Sequence, residues 1–331
     1  MPDAVLEVDG ISKSFRTRGG VFGRSVHAVA DAGFTLQRGE TLGLVGESGC
    51  GKSTLARLVL HLIEPDSGRV VIDGSDFTGA RVGERRRLRR RIQIVFQDAL
   101  SSLNPRMTVG VNIAEPMRLQ GIGSAAERRD AARDLMGLVG LRPEDEDRYP
   151  HEFSGGQCQR IAIARALILR PDIIVFDEAV SALDVSIRAQ ILRLVLDLQQ
   201  KFALSYVFIS HDLGVVKRVS DRIAVMYLGR IVEIGPADEL VRAPLHPYTE
   251  ALLRAIPIAD PRRMRVRDLG LTEGEAASPL SPPSGCPFHQ RCPRRMSRCA
   301  AERPLLARIA PAHSAACFLH SPLAASESDA A

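Results

Sequence analysis

The stretch Gly46-Glu47-Ser48-Gly49-Cys50-Gly51-Lys52-Ser53 decides the fold. It fits the pattern G-x-x-x-x-G-K-[ST] in full. Its glycines let backbone N–H groups turn inward and cradle phosphates. Lys52 can reach β- and γ-phosphate oxygens, and the Ser53 hydroxyl can ligate Mg²⁺. The apolar run Thr41–Val45 precedes the loop, and a helical period follows over Ser53–Ile63. That order predicts strand, loop and helix, with the positive end of the helix dipole at the phosphates. Glu47, Ser48, Cys50 and Thr54 complete the candidate phosphate-contacting residues, Cys50 simply as a small loop residue.

A Mg²⁺-nucleotide site needs a second anchor on a neighbouring strand. Ile173-Ile-Val-Phe-Asp177-Glu178 supplies it. Four apolar residues bury the strand and place Asp177 at its carboxyl end, where ligands bind in open α/β sheets. Asp177 would hold Mg²⁺ through water. Glu178 is placed to orient or deprotonate the attacking water. Further strands are expected at Val5–Val8, Ala28–Leu36, Arg69–Ile72, Arg91–Phe96, Ser205–Ile209, Arg222–Met226 and Arg230–Ile234. Helices are expected over Gly156–Leu169, Arg188–Phe202, Val215–Val219 and most of 107–150, with breaks at Gly121, Gly123 and Pro143. This alternation predicts an α/β fold with a mainly parallel sheet.

Composition fits that reading. The 331 residues are 45% hydrophobic and 25% charged, which excludes a disordered chain, a collagen and a small disulfide scaffold. Forty of the 44 cations are arginine, and the formal charge is +5. Arg81–Arg91 holds seven arginines, without interleaved aromatics, and reads as a solvated helix face leading into a strand rather than a nucleic-acid patch. No apolar run approaches a membrane span, and the N-terminus does not read as a secretory signal. From Ala259 the composition shifts to Arg, Pro, Ser and Cys, which predicts two parts, 1–258 and 259–331. The second part carries Cys286, Cys292, Cys299 and Cys317; in a reduced compartment such a cluster points to metal sooner than to disulfides.

Phe153-Ser154-Gly155-Gly156-Gln157 precedes a helix expected to begin near Gln159. A Ser and two glycines before a helix make another anion site. The chain thus has two phosphate-binding helix ends but one lysine-bearing loop. The economical explanation is a composite site, with each ATP lying between two chains.

Ser154-Gly-Gly-Gln157, 23 residues before Asp177, resembles the signature of ATP-binding-cassette (ABC) ATPases, a branch of the P-loop NTPases. Other family motifs follow in order. Gln97, after Ile94-Val-Phe, resembles the glutamine that contacts Mg²⁺ and senses the transmembrane partner. Ser181-Ala-Leu-Asp184 is similar to the loop that crosses the dimer interface. His211, after Phe208-Ile-Ser, is similar to the switch histidine on the γ-phosphate. Phe15 has the position of the aromatic that stacks on adenine. The resemblance implies ATP and Mg²⁺ as cofactors, a helical subdomain over about 98–160, and Glu178, His211 and Gln97 as the catalytic set. Two positions depart from the pattern: Cys158 stands where a basic residue is common, and Ala179 where Pro is common. Neither removes a phosphate or Mg²⁺ ligand.

Val95-Phe-Gln-Asp-Ala-Leu-Ser-Ser-Leu-Asn104-Pro105-Arg106, Asp177–Ser186 and Pro244-Leu-His-Pro-Tyr248-Thr249 resemble the ATPases of dipeptide/oligopeptide permeases, and Gly46–Cys50 the second ATPase of the pair. That resemblance implies a second ABC ATPase subunit, two transmembrane permease subunits and an extracytoplasmic solute-binding protein. It also implies a peripheral location on the cytoplasmic face of the inner membrane. The four cysteines resemble a set that can hold a [4Fe–4S] cluster; four thiolates are its usual ligand count. A structural zinc site is the rival, with His289, His313 or His320 as further candidate ligands. Importers of nickel or glutathione share the pattern, so the solute is not readable. A soluble ABC ATPase acting on nucleic acid or ribosomes is a more distant alternative, since such relatives carry two cassettes or long insertions. No nucleic-acid partner is expected.

Overall fold

The computed structural model describes residues 4–16, 25–255, 280 and 282–320. In chain order the strands are β1 Ala4–Arg16, β2 Ser25–Gln37, β3 Thr41–Val45, β4 Ser67–Ile72, β5 Ser75–Asp76, β6 Ile92–Val95, β7 Ile173–Asp177, β8 Ser205–Ser210, β9 Arg222–Tyr227, β10 Arg230–Pro236, β11 Ala307–Ala310 and β12 His313–Ala315. The helices are α1 Lys52–Val59, α2 Val82–Arg91, α3 Ala99–Ser102, α4 Val109–Gln120, α5 Ala125–Leu138, α6 Gly155–Leu167, α7 Val185–Phe202, α8 Leu213–Val219, α9 Ala237–Arg242, α10 Pro247–Ala255 and α11 Ser297–Ala301.

The central sheet runs β11-β12-β10-β9-β3-β8-β7-β6. Its block β9-β3-β8-β7-β6 is parallel, as the α/β alternation requires. Strands buried on both faces need apolar residues at every position, and β7 and β8 show why. Ile174, Phe176, Tyr206 and Phe208 face one core, while Ile173, Val175, Val207 and Ile209 face the other. A second sheet, β2-β1-β4-β5, is antiparallel and closes the second core over α1. Helices α3, α4, α5 and α6 pack on one another against the first core.

Some boundaries differ from the sequence expectation. Helix α1 stops at Val59 rather than Ile63, because His61 takes a left-handed φ of 50° that no helix continues. Helix α6 begins at Gly155, one residue before the start expected at Gly156 and four before the start expected near Gln159. Ser154 caps it: its hydroxyl accepts from the Gln157 N–H at 3.3 Å, and Gln157 Oε1 accepts from the Ser154 N–H at 2.9 Å. This capping box offsets the two glycines. The arginine run forms α2, and five of its seven cations are engaged within the protein. Arg85, Arg86, Arg89 and Arg90 donate to backbone carbonyls, and Arg91 pairs with Asp73 and Asp172. Cys158 is a buried core residue rather than a cation.

The boundary expected at 258 lies outside the described residues. Beyond it, β11 and β12 do not stand apart, because β12 pairs antiparallel with β10 and extends the central sheet. Fully buried Glu233 of β10 fastens this region. Its carboxylate accepts from His313 Nε2 at 2.7 Å, from the Leu245 N–H at 2.8 Å and from the His246 N–H at 2.9 Å. Next to it, burial pushes the His246 pKa down from 6.5 to about 4, opposed by the Glu233 charge and reinforced by Arg294 and His320. Protonation therefore favours the unfolded chain. The contribution is complete above pH 6.5 and is lost as pH falls toward 4. The urea midpoint is expected to fall steadily between those limits, and His246→Asn, which can still accept from the Tyr248 N–H, should flatten that fall.

Candidate nucleotide site and thiol pocket

β3 is buried along its whole length and delivers the chain into the glycine loop. Two glycines are fixed by sterics. A Cβ on Gly46 would stand 2.2 Å from the Met226 carbonyl oxygen. Gly51 has φ 107°, and a Cβ there would meet the Ala28 carbonyl oxygen at 2.1 Å. α1 then opens at Lys52, whose buried ammonium donates to the carbonyls of Gly46 at 2.9 Å and Glu47 at 3.1 Å. One turn of chain thus carries sterically fixed glycines and a desolvated cation.

Asp177, at the end of β7, accepts from Ser53 Oγ at 2.9 Å. Burial pushes its pKa up, opposed by the Ser53 hydrogen bond. A half-buried hydroxyl and a buried carboxylate form an oxygen donor pair suited to a hard cation such as Mg²⁺. Glu178 follows with a left-handed φ of 50°, a strained conformation for a side chain of this size. Its N–H donates to the Ile209 carbonyl at 3.0 Å, which ties it to the neighbouring strand β8. The strain re-aims its carboxylate away from the strand direction. That carboxylate lies 3.2 Å from His211 Nδ1 and 3.7 Å from Lys52 Nζ.

Lys52, Ser53 and Glu178 meet at an open cavity of about 390 Å³, in the range of small-molecule sites, while Asp177 and His211 stand behind it, bonded to Ser53 and Glu178. Ser48–Thr54, Gln97 and Glu178 line it, with Val26–Ala28 of β2 and the Leu228–Gly229 turn. Gln97 Nε2 donates to Ser181 Oγ at 3.5 Å. Phe15 is not among the lining residues. It is exposed on β1, paired across the strands with Val26, which does line the cavity. Ser154, Gly155, Gly156 and Gln157 sit elsewhere, at the start of α6, with Ser154 and Gly155 exposed. Asp184 is the exposed N-terminal cap of α7. The structure therefore gathers the loop, Asp177, Glu178, His211 and Gln97 together. It leaves the second helix end and Asp184 on the surface, available to another chain.

Residues 29–181 match the family described as ABC transporter, and residues 232–299 match the oligopeptide/dipeptide transporter C-terminal region. A Sinorhizobium fredii protein described as a probable peptide ABC transporter ATP-binding protein is 53% identical, covering 98% of this chain and 92% of that protein. The chain belongs to the ATP-binding subunits of peptide ABC transporters. The Pseudomonas aeruginosa di/tripeptide transport ATP-binding protein DppF is 50% identical, over 92% of this chain and 94% of its own length. An ATP-binding cassette solved as a dimer in a post-hydrolysis state with ADP and Pi is 28% identical, with a TM-score of 0.63 over 70% of this chain and 98% of that one. This ABC ATPase hydrolyses ATP, and its cassette fold is the α/β fold expected from the loop at residue 46.

The cysteines of the ABC subunit's C-terminal region form a second feature. Cys286, Cys292, Cys299 and Cys317 are free thiols that line one small cavity, with room for about one water (10 Å³). Burial raises the Cys286 pKa to about 11 and pushes Cys292 and Cys317 up as well. Neutral thiols can thus occupy the pocket at physiological pH. Among the described residues, no group of three or more His, Cys, Asp or Glu stands close enough to hold a metal ion. The thiols share a pocket without forming a closed ligand set.

Sequence reading missed what joins the two features. Arg291 Nη1 and Nη2 donate to Glu47 Oε2 and Oε1, both at 3.0 Å. Tyr248 Oη accepts from the Glu47 N–H at 2.9 Å. The first contact spans 244 residues of chain, and no local pattern signals it.

Proposed function

We infer that this chain energises the uptake of di- or oligopeptides across the cytoplasmic membrane, working as the second of two ABC ATPases on two permease subunits fed by a binding protein. The observation that carries this reading is the division of the site. One complete phosphate loop stands with Asp177, Glu178 and His211, while the Ser154–Gln157 helix end lies outside the cavity. Two chains in opposed orientation complete two sites. Gly46–Thr54 hold the phosphates, and Ser53, Asp177 and Gln97 would hold Mg²⁺, whose charge would stabilise the transferring phosphoryl group. Glu178 takes the proton of the attacking water, and His211 orients Glu178 and reaches the γ-phosphate. Phe15 approaches adenine from the strand edge, and Asp184 contacts the partner. Residues 1–258 form the cassette, with a helical subdomain over about 98–160, and 259–331 the extension. None of the helices described is long and apolar enough to cross a membrane. The chain binds the cytoplasmic face peripherally, through its membrane partners.

Affinity purification from solubilised membranes tests this. Recovery of two polytopic proteins and a sister ATPase is expected. Recovery with ribosomes or DNA and no membrane protein would overturn the reading. The four thiols of the extension supply the donor set of a [4Fe–4S] cluster, with zinc as the alternative. Their shared pocket supports this, and their spacing requires the side chains to move inward on binding. Anaerobic purification followed by iron, labile sulfide and zinc analysis separates the two. Iron and sulfide near four per chain are expected. A colourless protein with stoichiometric zinc would rule out the cluster.

A further inference from the structure

We propose that Arg291 is a positioning residue of the ATP site: it holds the phosphate loop through Glu47 and makes ATP affinity depend on the four-thiol pocket. The inference rests on the reading above that residues 46–53 hold the nucleotide phosphates.

Glu47 directly follows the first glycine of the loop, and it is held at three atoms. Its carboxylate takes both arms of the Arg291 guanidinium, its N–H donates to Tyr248 Oη, and its carbonyl accepts from Lys52 Nζ. Two of these three holds come from outside the loop. A carboxylate on a phosphate-binding loop is an electrostatic cost, since it repels the ligand the loop exists to bind. A bidentate guanidinium neutralises that charge and fixes its direction, which an ammonium would do less well. The Arg291 side chain is 12% exposed and that of Glu47 38%, so the pair is sheltered on the arginine side and open to solvent on the other. The Glu47 carboxylate in turn holds the Arg291 pKa above its ordinary value.

Arg291 stands just behind the thiol pocket, whose wall includes its chain neighbours Phe288, His289 and Cys292. It lies between Cys286 and Cys292, adjoining the latter. Its N–H donates to the Phe288 carbonyl at 3.0 Å, within a run of tight turns that continues through His289 to Cys286 and Arg295 to Cys292. Its guanidinium lies 5.8 Å from the Phe288 ring and 6.0 Å from the Tyr227 ring. Phe288, Tyr227 and Tyr248 form one aromatic cluster, with centroids 4.6–5.4 Å apart. One packed unit therefore touches the thiols on one side and Glu47 on the other. A shift of the Cys292 turn moves Arg291, and Arg291 moves the loop. Linkage makes the effect reciprocal, so ATP bound at the loop also changes the affinity of the thiol pocket for whatever it holds.

MgATP affinity of the full chain, measured by equilibrium titration beside thermal midpoints, tests this. Arg291→Ala is expected to weaken MgATP binding about tenfold, the size of a lost charged hydrogen-bond pair. Arg291→Lys, which keeps the charge without the fork, should fall between it and the wild type. Adding Glu47→Ala to Arg291→Ala should recover affinity, because the unpaired carboxylate is gone. A merely structural Arg291 would lower the thermal midpoint and show no such recovery. Cys292→Ser should weaken binding in the wild-type background and add nothing in the Arg291→Ala background. Unchanged affinity in both Arg291 variants would overturn the positioning role. An inert Cys292→Ser, or losses that simply add, would overturn the link to the thiol pocket. Lys52→Ala serves as the control: if it binds MgATP like the wild type, the phosphate-loop reading has failed instead.

Discussion

Glu178→Gln should stop ATP turnover while leaving ATP binding intact. The substitution keeps the size and shape of the side chain. Its single carbonyl oxygen can face either Lys52, 3.7 Å from Oε1, or His211, 3.2 Å from Oε2, with the amide NH₂ on the other side. It removes the basic electron pair that accepts a proton from water. Loss of a positioned general base lowers the rate by about 100- to 10,000-fold. The Mg²⁺ donors Ser53 and Asp177 and the phosphate-binding loop are unaltered. Nucleotide then stays between two chains that cannot discharge it, so a dimer should accumulate with ATP and not with ADP. Phosphate release and size-exclusion chromatography read the two effects separately. Wild-type hydrolysis by Glu178→Gln would place the base elsewhere.

Lys52→Ala should fail one step earlier, at binding. The Lys52 ammonium is almost fully buried and already directed into the loop by two backbone carbonyls. Its removal takes away the charge facing the phosphates and the brace across the loop. An affinity loss of roughly 10- to 100-fold follows from the worth of charged hydrogen bonds. The rise in thermal midpoint that MgATP gives the wild type should disappear. If Lys52→Ala retained that rise, the loop would not be the phosphate site. The two variants thus separate binding from chemistry: one keeps nucleotide and cannot cleave it, the other cannot hold it.

The nucleotide half of the site was legible because its signals are local. A strand, a glycine loop and a helix are consecutive in the chain, and the apolar run before Asp177 declares its own burial. The stop of α1 was not legible, since the left-handed His61 carries no glycine to announce it. The start of α6 was legible to within one residue from the helical pattern at Gly156, while the start near Gln159 gave the two glycines too much weight against the capping signal, Ser154 three residues before Gln157. The C-terminal region was the least readable. Its four cysteines marked a site, but β12 finds β10 only through tertiary contact, and His313 finds Glu233 across 80 residues. Likewise, Glu47 reads in the sequence only as a candidate phosphate-contacting residue, and nothing local announces its pairing with Arg291. Long-range ion pairs leave no periodicity to read.

The pairing of β12 on β10 has a bearing on how this protein can be shortened. Without the C-terminal segment, β10 becomes the rim of the central sheet, a row of unpaired N–H and C=O groups beside apolar Ile231, Val232 and Ile234. Such a rim is a template for another chain. Glu233 would also lose His313 while remaining next to the core. A cassette cut after Ala255 should therefore precipitate or self-associate rather than survive as a minimal ATPase. In the intact chain the outermost described strand on this side of the sheet is β11, only four residues long, which is too short to recruit neighbours well. The cysteine-bearing tail is thus also a guard against aggregation, whatever its thiols bind.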